Sequence, residues 1–140
     1  MRYFIDTNVF LFLCDEPEKL TSEVKKIIFH YENQFIMGVT SVFEILTHIR
    51  NQKVSNKVWR SYDDVKDKMD EYGIEIRYIA EAHVKAFGRL TPAPNHSDPA
   101  DLMIIAQAIA EKIPLISSDK KFPFYTGQGL HLIHNRRKTR

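Results

Sequence analysis

With 140 residues, 44% of them hydrophobic and 27% charged, the chain is expected to form one soluble globular domain that buries roughly 68–70% of its unfolded surface. A formal net charge of +2 is too small to announce a nucleic-acid partner, and the lone Cys14 excludes an internal disulfide. No apolar run reaches the ~18 residues of a membrane span, and Asp6 and Asp15 interrupt the stretch where a secretory signal would lie, so a cytoplasmic protein is expected.

Tyr3-Phe4-Ile5 is a continuous β-prone run of the kind covered on both faces of a sheet. Asp6-Thr7-Asn8 breaks it, and a short helical or turn segment follows, ending near Pro17, with Cys14 as a small core residue. Over 20–31, Val24, Ile27, Ile28 and Tyr31 recur at spacings of three and four, which predicts an amphipathic helix. Phe35-Ile36-Met37 predicts a second strand. Ser41 is expected to open a helix with Val42, Ile45, Leu46 and Ile49 on its apolar side. A helix or helix pair over 56–72 would turn Val58, Tyr62, Val65 and Met69 inward, with Gly73 as its stop.

Residues 74–79 alternate as a strand, 81–90 read as a helix and 91–96 as a loop. Asp98-Pro99 opens the strongest helix, which carries Leu102, Ile105, Ala106 and Ile109 to about residue 112. Residues 114–117 and 130–133 supply the last two strands. Strands separated by helices imply crossovers, hence a mainly parallel central sheet in a three-layer α/β/α fold. The domain is expected over 1–134, and 135–140 form a basic tail, a solvated end that can add phosphate affinity.

Four acids stand where apolar strands meet helices: Asp6, Glu44, Asp101 and Asp119. Each has an ordinary structural reading. Ser41 and Glu44 fit a capping box, Asp98 fits an N-cap before Pro99, Asp101 suits the positive end of a helix dipole, and Asp6 and Asp119 suit turns. Taken together those readings fare worse, because Asp6 follows a buried run where an unpaired carboxylate is costly. In folds of this class the polar site lies at the carboxyl ends of the strands. Carboxylates crowded there repel one another unless a cation neutralises them, and a hard ion with oxygen ligands such as Mg²⁺ suits them. A shared metal pocket of Asp6, Glu44, Asp101 and Asp119 is therefore expected, with Asp98 first an N-cap and second a supporting metal residue.

The set of motifs resembles the PIN-domain family of nucleases and, within it, the VapC-type toxins of bacterial toxin–antitoxin pairs. The matching pieces are Tyr3-Phe4-Ile5-Asp6-Thr7-Asn8, Ser41-Val42-Phe43-Glu44-Ile45, the run 96–108 from His96 through Asp98-Pro99-Ala100-Asp101 to Ala108, and 114–122 with Asp119, followed by Tyr125. The resemblance implies acidic ligands at Asp6, Glu44, Asp101 and Asp119, with Thr7, Asn8 and Ser117 lining or supporting the pocket. Many relatives carry Arg after the third acid, where this chain has Leu102. The implied activity is hydrolysis of RNA phosphodiesters with one or two Mg²⁺ or Mn²⁺ ions as Lewis acid, activator of water and template. Asp6 and Asp101 are the first choices as direct ligands. Glu44 and Asp119 would ligate through water, position the nucleophile or hold a second ion. The implied partners are an antitoxin protein, which would place a basic side chain in the pocket, and a second copy of the chain.

The histidines form no catalytic set. His131 and His134 face opposite sides of a strand, which argues against zinc, and His96 reads as a loop residue. Arg50, Lys53, Lys57 and Arg60 follow Glu44, while Lys120 and Lys121 adjoin Asp119, and of these Arg50, Lys53, Lys120 and Lys121 are candidate contacts to an RNA backbone. Trp59, Tyr62, Phe10, Phe12 and Phe29 are assigned to packing. The alternatives are a free-standing PIN nuclease in RNA processing and a non-catalytic module binding RNA or protein.

Overall fold

The computed structural model describes residues 1–53 and 59–136. Its elements in chain order are β1 (Arg2–Ile5), α1 (Thr7–Asp15), α2 (Ser22–Ile28), β2 (Gln34–Gly38), α3 (Val39–Arg50), α4 (Tyr62–Glu71), β3 (Ile74–Arg77), α5 (Glu81–Arg89), α6 (Pro99–Glu111), β4 (Leu115–Ser117) and β5 (Leu132–His134). Two 3₁₀ segments, Pro17–Lys19 and Phe122–Gln128, complete the set. The sheet order is β3-β2-β1-β4-β5, and every pairing is parallel.

Side chains alternate across a strand, so each strand feeds two cores. Tyr3, Ile5, Phe35, Met37, Ile74 and Ile116 face a layer containing Val9, Phe10, Leu13, Val24, Ile28, Val42, Ile45, Val65 and Met69. Phe4, Ile36 and Leu115 face the opposite way, onto Leu102, Ile105 and Ala108 of α6 and onto Phe122 and Tyr125. Helices thus cover both faces of the sheet, which is the expected α/β/α architecture, and strands buried on both sides explain the unbroken apolar runs. Among the described residues no helix is long and apolar enough to cross a membrane.

Several elements depart from the pattern predicted along the chain. α3 starts at Val39 with Gly38 as its N-cap, not at Ser41, because β2 runs straight into the helix without a loop. α2 ends at Ile28, which leaves Phe29 63% and Tyr31 90% exposed instead of buried. Tyr62 opens α4 and is 41% exposed, whereas Trp59 is buried and stacks on Phe10 at 5.9 Å. The predicted start of that helix at residue 56, together with Val58 and Lys57, lies outside the described residues. β5 begins at Leu132, two residues later than predicted, and the 3₁₀ segment Phe122–Gln128 was not foreseen. Asn135 is buried, accepts from Thr21 N–H at 2.7 Å and donates to Lys19 O at 3.0 Å, tying the chain beyond β5 back to the start of α2.

Candidate active site

From β1 the chain steps outward through β2 to β3, then returns to place β4 on the other side of β1. Open parallel sheets bind ligands at such a switch point, outside the carboxyl ends of the strands. Asp6 follows β1 there, Ser117 ends β4, and Ser118 and Asp119 follow it. The register Phe4–Leu115 and Ile5–Ile116 brings Asp6 level with Ser117. Asp6 N–H donates to Ile116 O at 2.9 Å, and the Ser117 hydroxyl donates to Asp6 Oδ2 at 2.7 Å. Asp6 Oδ1 accepts from Thr7 N–H at 2.7 Å and so caps α1.

Glu44 does not form the expected capping box. Ser41 lies inside α3 and cannot be its N-cap, so Glu44 is free to turn toward α1, where Oε1 accepts from the Thr7 hydroxyl at 2.7 Å. Asp98 caps α6 as expected, accepting from Ala100 N–H at 3.0 Å. Asp101 occupies the first turn of the same helix. One carboxylate oxygen each from Glu44, Asp98 and Asp101 lie within 4.8 Å of one another. Asp119 accepts from Lys121 N–H at 2.8 Å, and its own N–H donates to Ser117 Oγ at 3.0 Å.

Burial pushes the Asp6 carboxyl up to about 7, opposed by its bonds from Ser117 and Thr7 and reinforced by the charges of Asp101 and Glu44. Glu44 and Asp101 are also raised, first by burial, with Asp98 and Asp119 adding repulsion to each. The five acids therefore share one electrostatic neighbourhood. Among the described residues no Lys or Arg forms an ion pair with any of them. An octahedral shell with Mg–O bonds of about 2.1 Å separates donor oxygens by roughly 3 to 4.2 Å. The oxygens of Glu44, Asp98 and Asp101, within 4.8 Å of one another, are comparable to that spacing, and an all-oxygen anionic donor set suits a hard divalent cation.

A family model described as the PIN domain matches residues 3–126. The chain belongs to the PIN-domain family. Comparison with curated protein sequences gives no match. Among solved structures, this PIN domain is similar to a chain of VapBC2 from Rickettsia felis bound to a promoter DNA fragment, with a TM-score of 0.66 at 17% identity over 96% of this chain and 98% of that one. Similarity to a chain of DNA-bound VapBC from Salmonella typhimurium has a TM-score of 0.68 at 12% identity, covering 97% and 99%. VapBC-1 from nontypeable Haemophilus influenzae gives 0.64 at 16% identity, covering 96% and 98%.

Not every residue singled out in the sequence reaches the acidic cluster of the PIN domain. Asn8 is exposed on the first turn of α1. Arg50 and Lys53 are exposed at the far end of α3, Arg50 being about 9 Å along the helix axis beyond Glu44 at 1.5 Å per residue. Lys120 is exposed beside Asp119, and Lys121 Nζ donates to Asn95 O at 3.3 Å. Leu102 packs in the second core at 7% exposure and takes no part in the polar site.

The sequence placed His96 and Tyr125 within the matching motifs, but His96 was read as a loop residue and Tyr125 was given no role in the site. His96 is 2% exposed and contacts Asp101 Oδ2 at 3.1 Å and the Tyr125 hydroxyl at 2.7 Å. Its place in a loop rich in proline, before Asp98-Pro99, concealed its burial. The one available signal was its position five residues before Asp101, on the chain that leads into α6.

Proposed function

We propose that the protein is a Mg²⁺- or Mn²⁺-dependent endoribonuclease and the toxin of a VapBC-type toxin–antitoxin pair. The observation that carries this reading is the convergence of Asp6, Glu44, Asp98, Asp101 and Asp119 at the switch point, with no Lys or Arg ion pair among the described residues. Glu44, Asp98 and Asp101 would hold a cation directly, a revision of the expectation that favoured Asp6 and Asp101. Asp6 closes the floor of the cluster, oriented by Ser117 and Thr7. Asp119 adds negative charge from the β4 side, where a second ion would be accommodated.

When bound, the cation would supply charge neutralisation on the phosphoryl group and a more acidic water. The protein's own part is to fix the carboxylates before substrate arrives. Thr7 ties Glu44 to the start of α1, Ser117 ties Asp6 to the end of β4, and helix capping holds Asp98. Because Asp6 retains its proton up to about pH 7, loading a cation beside it would displace that proton. Lys120 and Lys121, directly after Asp119, are the better-placed candidates for contacts to RNA phosphates. Arg50 at the end of α3 and Lys53 beyond it lie farther away and suit only a longer strand.

An antitoxin would silence the site with a guanidinium, whose fork of donors can satisfy carboxylates that the cation otherwise occupies. The occurrence of similar folds in VapBC complexes supports that partner. A homodimer in the cytoplasm belongs to the same reading. Incubation of purified protein with total RNA and Mg²⁺, followed by mapping of new ends, tests it. Cleavage at a few sites is expected from the wild type, with none from Asp6→Ala or in EDTA. Equal cutting by the variant would reject the site, and no cutting of any RNA would favour a binding module.

A further inference from the structure

We propose that His96, itself locked by Tyr125, is a positioning residue that sets the Asp101 carboxylate for the cation. The inference rests on the metal-dependent reading above. His96 sits between α5 and α6, with its ring 6.2 Å from Phe122 and 5.5 Å from Tyr125, centroid to centroid, and 2% exposed. The ring therefore cannot turn without displacing core aromatics.

Its two ring contacts depend on the tautomer, and one assignment makes the hydrogen bonds run in a single direction. Ala93 N–H donates to the Tyr125 hydroxyl at 2.9 Å, so that hydroxyl has one proton left to give. The acceptor in line is His96 Nδ1 at 2.7 Å. With Nδ1 accepting, the neutral ring carries its proton on Nε2, which donates to Asp101 Oδ2 at 3.1 Å. This assignment satisfies every donor and acceptor in the chain Ala93, Tyr125, His96, Asp101, and that chain connects a loop backbone to a half-buried carboxylate.

A histidine needed only for packing could find backbone partners. Here the single donor is spent on Asp101, and the buried Tyr125 hydroxyl, 32 residues away from Ala93 in sequence, is spent on holding that donor. Asp101 lies half-buried in the first turn of α6, where an untethered carboxylate would sample several rotamers. With Oδ2 tethered, the carboxylate stays within reach of Glu44 and Asp98, and the ordering is complete before a cation arrives. Hydrogen-bonded partners behind metal ligands typically change metal affinity 10–100-fold when removed.

Calorimetric titration of the full chain with Mn²⁺, without RNA, tests the inference. His96→Leu and Tyr125→Phe should each weaken Mn²⁺ binding by about tenfold or more. His96→Gln, whose amide can replace the Nε2 donor, should recover most of that loss. In the wild type, ¹⁵N shifts of the His96 ring should report an Nε2–H tautomer, and Tyr125→Phe should move them. Asp101→Asn is the control that should abolish the binding. Should His96→Leu fail to fold, Tyr125→Phe keeps the aromatic packing and carries the test alone. Unchanged affinity in Tyr125→Phe beside loss in Asp101→Asn would overturn the positioning role and leave the metal reading intact. A lower melting temperature with unchanged affinity would overturn it equally. No Mn²⁺ binding by the wild type would overturn the metal reading and this inference with it.

Discussion

Asp6 shows how one side chain serves two needs that oppose each other. It caps α1 and accepts from Ser117, yet it is 4% exposed beside other acids, which holds its carboxyl near 7. A free carboxyl in the unfolded chain titrates near 3.8, so between about pH 4 and 7 the folded state binds more protons. Stability without metal therefore falls as pH rises through that window, and the full cost, on the order of a few kcal/mol, stands above pH 7. Asn caps a helix as well as Asp does and cannot ionise. Metal-free Asp6→Asn should be more stable than the wild type in urea unfolding at pH 8 and nearly equal to it near pH 4. A wild type that is the more stable at pH 8 would contradict the burial of this charge. At this scale the ordinary and functional readings of an acid do not compete, since Asp98 both caps α6 and stands in the cluster. Asp6 and Asp119 were marked in the sequence by the ends of apolar strands and Asp98 by the start of a helix, whereas Glu44 lies inside α3. The partners of these acids were not marked, and Glu44 found Thr7 instead of Ser41.

Among the elements, the junction of β2 and α3 is where close approach governs the layout. A Cβ on Gly38 would lie 2.2 Å from Gln107 Oε1, and Gln107 is fully buried on α6. Gln107 cannot easily retreat, because its amide donates to Arg77 O and Tyr78 O, each at 3.3 Å, at the end of β3. Gly38→Ala should cost about 1–3 kcal/mol by overpacking. The same substitution in a Gln107→Ala background should cost at least about 1 kcal/mol less, measured as a double-mutant cycle in urea. Additive effects would mean that the two residues do not meet. Nothing in the local sequence marks this contact, since Gly38 reads only as a strand end. For the same reason the start of α3 was misjudged: Ser41 is a good capping residue by type, but the helix was already under way. The 3₁₀ segment Phe122–Gln128 escaped notice because Pro123, Gly127 and Gly129 read as an irregular loop, while burial of Phe122 and Tyr125 against the second core gives it shape.

For the whole molecule, the cluster joins distant parts of the chain whose carboxylates repel one another. Cation binding to the folded state alone should therefore stabilise the entire domain. At a free Mn²⁺ concentration one hundred times the dissociation constant the gain is about 2.7 kcal/mol. For a chain of this size that is a rise in melting temperature on the order of 10 °C. Glu44→Gln and Asp101→Asn should lose most of the shift, whereas Arg50→Ala, at the far end of α3, should keep it. A shift of equal size in all variants would place the ion elsewhere.

The sequence by itself determined the layers and the parallel sheet, because hydrophobic periodicity and strand-to-helix boundaries are properties of neighbouring residues. Only the tertiary structure decided which groups meet. Thr7 and Glu44 are 37 positions apart, Asp6 and Ser117 are 111 apart, and His96 reaches Tyr125 across 29. Such contacts follow from the order in which strands are laid beside β1, and that order becomes fixed when both faces of the sheet are buried together.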